Sequence, residues 1–152
     1  MLSKKSKYAI NSLVYLAKKY EQGPILISEI AETQHIPKKF LEAILLDMRN
    51  AGILNSKKGK GGGYYLIKKP ADVNLAEVVR HFEGAIALLP CVTHRYYERC
   101  EECTDESTCG IRDVFQEIRN ETVNILKNST LKDILDREEK LKIHPNPPAP
   151  AI

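Results

Sequence analysis

From Lys4 to Tyr20 the apolar positions Tyr8, Ala9, Leu13, Leu16, Ala17 and Tyr20 recur with a helical period, and lysines occupy the other faces. The stretch "EQGP" breaks that helix. Ser28 reads as the N-cap of a short helix, "EIAETQ", that turns Ile30 and Ala31 inward. "HIP" is a turn, and Pro37 suits the first turn of the next helix, where an N–H has no partner to lose. That helix, "PKKFLEAILLDMRNAG", is expected to bury Phe40, Leu41, Ile44, Leu45 and Met48 and to stop at Gly52. Two short β-like runs follow, "ILNSK" and "GYYLIKK", joined by a loop of lysines and glycines.

Beyond the hairpin, Asn74 can cap a short helix, "LAEVVRHFEG", ending at Gly84. Residues 85–110 lose the periodicity and hold every cysteine. A long helix starts near Ile111, with Ile111, Val114, Phe115, Ile118, Thr122, Ile125 and Leu126 along one stripe. Ser129 or Thr130 caps a final helix through "LKDILDREEKLK", and the proline-rich tail "HPNPPAPAI" is expected to be disordered. Helix, short helix, turn, helix and two-stranded hairpin is the order of a winged helix-turn-helix. The expected fold is therefore mainly α with a small β-hairpin, a winged domain followed by a long C-terminal dimerisation helix. Its units are 1–84 (winged helix-turn-helix), 85–110 (cysteine-rich loop), 111–142 (long and final helices) and 143–152 (tail).

Charge adds an asymmetry to that pattern. Residues 1–70 carry 13 Lys/Arg against 5 Asp/Glu, whereas residues 71–152 carry 10 against 15. A basic front half suggests a surface that meets a polyanion. No stretch approaches the ~20 apolar residues that cross a bilayer, and the N-terminus has no uninterrupted apolar run of a secretion signal. The expectation is a cytoplasmic protein without a membrane partner, in which the four cysteines are reduced.

If Pro37 opens a recognition helix, Lys38, Lys39 and Glu42 lie on its exposed early turns, where such helices touch base edges. Ser28, at the start of the preceding helix, joins that set. Lys57, Lys58 and Lys60 project from the hairpin loop, while Gly61, Gly62 and Gly63, followed by Tyr64, let the backbone approach a phosphodiester chain closely. A nucleotide-binding P-loop is disfavoured, because the lysine precedes the glycines and no Ser/Thr follows. His35, His81, His94 and His144 are scattered and suggest no nucleophile–base pair, so an enzyme is disfavoured too.

The cysteines follow the spacing Cys91-x8-Cys100-x2-Cys103-x5-Cys109. Thiolates in one irregular segment can wrap zinc or an iron–sulfur cluster. A zinc ribbon uses two C-x2-C knuckles and only one is present, and the bacterial ferredoxin run does not match. "RCEECTDESTC" is too polar to be core. A thiol redox pair without metal stays open.

"SKYAI", "FLEAILLDMRNAGIL" and "KGKGGGYYL" resemble the Rrf2 family of winged-helix regulators, with its IscR, NsrR, RirA and CymR branches, over nearly the whole chain. The resemblance implies a homodimer, joined largely through the long helix, that binds a palindromic operator in double-stranded DNA. It also implies an iron–sulfur cluster, [2Fe-2S] or [4Fe-4S], since cluster-binding members carry three cysteines in this segment with five residues between the last two. Cys103 and Cys109 match that pair, and Cys91 fits the first position. The Cys91–Cys103 interval is longer than the family's, and Cys100 is extra. The fourth ligand of the IscR branch, a histidine three residues past the last cysteine, is Arg112 here. The NsrR branch uses an aspartate of the first helix, and this chain has no acidic residue before Glu21. Cys100 is the expected fourth ligand, ahead of His94, Glu98 and Glu101. A zinc site or a thiol redox switch without a cluster is the alternative, and the non-cluster CymR branch is the counter-model, which would not explain four clustered thiols.

Overall fold

The computed structural model describes residues 2–150; Met1 and the last two tail positions, Ala151 and Ile152, lie outside it. The first helix, α1 (Lys4–Lys18), is capped by Ser3, whose hydroxyl accepts the Ser6 N–H at 3.1 Å. Its apolar stripe runs through the middle of the core, where Ala9, Leu13 and Leu16 are buried against α3 (Lys38–Asn50) and α6 (Leu131–Ile143). The short α2 (Ile27–Thr33) follows a turn. Its N-cap is Leu26, with no side-chain cap bond, so Ser28 sits inside the first turn and is not the cap expected from the sequence. The paired strand residue Ile25 sets where this helix begins. Ile25 exchanges two backbone hydrogen bonds, of 2.9 and 2.8 Å, with Tyr64 of the hairpin.

Between α2 and α3 the chain reverses at His35, held at φ 52°, a left-handed conformation uncommon for a residue with a side chain. The reversal drives Ile36 into the core. Helix α3 begins at Lys38, one position later than expected, with Pro37 as its N-cap, and Gly52 follows the helix at φ 74° as its C′ residue. Leu41, Ile44, Leu45 and Met48 are buried, but Phe40 is 47% exposed. Counting Phe40 as core was an error of angle: it lies at the rim of the apolar stripe, where its ring meets Tyr8 edge-on at 5.8 Å.

Strands β1 (Leu54–Lys57) and β2 (Gly63–Leu66) pair antiparallel, with Leu54 opposite Leu66 and Lys57 opposite Gly63. Asn74 caps α4 (Leu75–Glu83), accepting from the Glu77 N–H at 3.0 Å, and Gly84 ends it at φ 81°. The long helix α5 (Gly110–Lys127) starts one residue before Ile111, with Cys109 as its N-cap. Thr130, not Ser129, caps α6 through a capping box with Asp133. Leu131 N–H bonds Val73 O at 2.9 Å and Leu75 N–H bonds Ser129 O at 2.9 Å, so the start of α6 is stitched beside the start of α4. Leu131 is buried in the main core, and Lys18 pairs with Glu138 at 2.6 Å. Residues 145–150 of the tail are exposed and adopt no regular structure.

Glu83 joins α4 to α1. Its Oε1 accepts from the Ser3 N–H at 2.8 Å and from the hydroxyl of buried Ser6. The Ser6 hydroxyl first, and the Ser3 groups after it, hold the carboxyl at about 2, below its ordinary 4.5. A lowered folded-state value contributes stability above pH 4.5 and loses it as pH falls towards 2. Glu83→Gln is therefore expected to flatten the acid limb of the stability profile in that window. Urea midpoints measured at each pH check this, and an unaltered limb would uncouple Glu83 from folding.

Candidate cysteine centre and DNA-facing surface

On α3, Lys38, Lys39 and Glu42 are exposed on the side opposite Leu41, Ile44 and Leu45. In the hairpin loop Lys57, Lys58 and Lys60 are exposed, and among the described residues none of these five lysines takes part in an ion pair. The two lysine groups thus present unneutralised charge from α3 and from the wing. Ser28 is half-buried in α2.

The wing glycines have a role that the sequence did not expose. A Cβ on Gly62 would lie 2.3 Å from Lys57 O, and one on Gly63 would lie 2.2 Å from Ile25 O. Gly62 admits the hairpin's own backbone, and Gly63 admits the backbone of Ile25, just ahead of α2. Gly61, at φ 72°, faces open space and makes the turn. Tyr64 is half-buried against the core. Arg49, absent from the sequence-based set, donates from Nη1 to Ser56 Oγ at 3.2 Å and ties the end of α3 to β1. Only a three-dimensional register could have shown that pair.

The four cysteines are free thiols that line one cavity of about 130 Å³, together with Leu89, Glu102, Glu106, Ile111 and Arg112. That space exceeds the ~30 Å³ share of one water several times over. Cys91 is buried in a 3-10 turn, Pro90–Val92, that packs against α5. Cys100 and Cys103 stand on one backbone turn, closed by Cys103 N–H to Cys100 O at 3.3 Å. Cys109 accepts the Arg112 N–H at 3.4 Å, and Arg112 Nε donates to Cys91 O at 3.3 Å, which braces the first cysteine against the last.

Local chemistry divides the thiols. The Arg112 N–H, at the positive end of α5, pulls Cys109 down from its ordinary value. Burial, ahead of its contact with Cys109, pushes Cys103 up. The Glu102 carboxylate, which accepts from Cys100 Sγ at 3.1 Å, pushes Cys100 up. The donor set is soft, confined and complete enough for an iron–sulfur or zinc site. Among the described residues, however, no three His, Cys, Asp or Glu side chains already stand at metal-holding separations. His94, Glu98 and Glu101 do not line the cavity, whereas Glu102 and Glu106 do.

A sequence model of Rrf2, described as an iron-dependent transcriptional regulator, matches residues 2–137. The chain belongs to the Rrf2 family. An rrf2-like HTH-type transcriptional regulator of Rhodobacter capsulatus is 42% identical to it over 138 residues, covering 89% of this chain and 92% of that one. The structure of CymR, the global cysteine regulator of B. subtilis, matches at TM-score 0.76 and 28% identity, over 90% of this chain and 97% of that one. The T. potens IscR structure shares the fold at TM-score 0.74 and 23% identity, over 96% and 93% of the two chains. As an Rrf2 protein the chain is a DNA-binding transcriptional regulator, not an enzyme. Among the described residues no helix is long and apolar enough to cross a membrane.

Proposed function

We propose that this Rrf2 protein is a homodimer whose operator binding is controlled by an iron–sulfur cluster held by Cys91, Cys100, Cys103 and Cys109. The observation that carries the reading is that all four thiols line one cavity and that Cys109 is also the N-cap of α5. The description of the family as iron-dependent supports it. A bound cluster supplies sensitivity to iron, redox state or nitric oxide. The chain supplies the transmission: α5 packs on α4 of the winged unit and on the Pro90–Val92 turn, so the state of the loop bears on how α5 is held. Paired winged units read half-sites roughly 34 Å apart, so a small reorientation changes affinity.

The dimer is assigned to the face of α5 that carries Ile111, Val114, Ile118 and Ile125, all exposed in the single chain, with Ile111 at 67%. A row of apolar side chains at helical spacing fits a second copy of the same helix. Ile118→Asp is expected to weaken dimerisation about tenfold or more, because a charge replaces buried apolar contacts. Sedimentation equilibrium reads the shift, and a dimer of unchanged affinity places the interface elsewhere.

Lys38, Lys39 and Glu42 would meet base edges and phosphates, and Lys57, Lys58 and Lys60 would grip the backbone beside them. Lys60→Ala should reduce the salt slope of operator binding by about 0.9, the share of one phosphate contact. Gel shifts across a salt series test this. A weak, sequence-indifferent slope in the unsubstituted protein would remove the DNA-reading role of these residues.

A second reading follows from the likeness to CymR, which has also been solved in an oxidized form. In it the same cysteines act as a zinc site or as a thiol switch, with the same α5 cap transmitting the change.

A further inference from the structure

Thr93, two residues after Cys91, faces a different cavity, of about 210 Å³. Arg80 of α4, Arg95 and His94 of the connecting segment and Arg119 of α5 line it, and no Asp or Glu does. Among the described residues none of the three arginines forms an ion pair; Arg119 donates to the neutral Asn120 side chain at 2.9 Å. The Thr93 Oγ1 is buried and has no hydrogen-bond partner. A buried hydroxyl left alone is costly, and three arginines lining one cavity with no carboxylate among them leave its positive charge unopposed. An oxyanion relieves both, since it accepts from the hydroxyl and from planar guanidinium forks.

We infer that this pocket binds a small multivalent oxyanion, one bearing several phosphoryl or carboxylate oxygens. The volume falls below the ~300 Å³ of pockets that hold drug-sized ligands, which favours an anion the size of phosphate or citrate over a nucleotide. Arg80 belongs to the winged unit and Arg119 to the long helix, so the anion clamps α4 to α5 from the side opposite in chemistry to the thiols. The inference does not depend on which metal, if any, the cysteines hold.

Titration calorimetry on the full-length protein, without DNA, tests it with inorganic phosphate and with citrate in chloride buffers of matched ionic strength. One of the two is expected to bind saturably at one site per chain. Arg95→Gln combined with Arg119→Gln should weaken that binding about tenfold or more, the scale of lost charge-assisted contacts. Arg137→Gln on α6, away from the pocket, should leave it unchanged, and circular dichroism confirms the fold of each variant. The absence of saturable binding by either anion overturns the proposal. So does equal affinity in the double variant, which would reduce the effect to surface charge.

Discussion

Gly63→Ala is expected to lower folding stability by about 3 kcal/mol or more, the combined scale of backbone strain and a forced contact. Gly63 sits at φ 146°, and its Cβ would stand 2.2 Å from Ile25 O and 2.9 Å from Leu26 N. The obstacle is backbone, not the end of a flexible side chain. To relieve it, the hairpin must leave the Ile25–Tyr64 pairing, which places both the wing and the entry to α2. Gly61→Ala is the comparison: at φ 72° with open space around it, only the left-handed conformation is penalised, at about 1 kcal/mol. Urea unfolding of the two variants measures the difference. Equal losses would show that the close approach at Gly63 is not what fixes the wing.

Cys109→Ser is expected to abolish cluster binding and to change operator affinity within the roughly 5–150-fold range of allosteric coupling. The substitution is selective. Serine is a favoured N-cap, so the start of α5 keeps its cap while the thiolate is removed. A variant with native helix content, no visible absorption and shifted operator affinity supports coupling through this residue. Retained absorption shows that Cys109 is not a ligand. Cys100→Ser, assayed alongside, decides whether the extra cysteine completes the set.

Much of this fold was legible because the chain marks its own boundaries. Gly52, Asn74 and Gly84 stand at helix ends in the conformations that their chemistry favours. The misreadings came from tertiary contacts that periodicity does not contain. Phe40 matched the apolar spacing of α3 but fell on its rim, and Ser28 was displaced from its cap by the Ile25–Tyr64 bridge. The tandem glycines read as letting the backbone approach a phosphodiester chain; that two of them also make room for the protein's own backbone was not visible in the sequence. At the cysteine centre, clustering was visible in the spacing alone. That Cys109 caps α5, that Arg112 braces Cys91, and that Glu102 and Glu106 line the cavity depended on the path of the loop. The basic pocket was invisible for the same reason, since Arg80 and Arg119 are 39 positions apart in the sequence.

The central claim is a cluster on these four cysteines, and the most direct measurement is iron and acid-labile sulfide content with a visible spectrum on anaerobically purified protein. The account predicts iron and sulfide in near-equal amounts, with charge-transfer absorption that Cys109→Ser removes. Zinc without sulfide, or colourless metal-free protein that still binds its operator, overturns it and leaves the zinc site or the thiol switch, respectively, in its place.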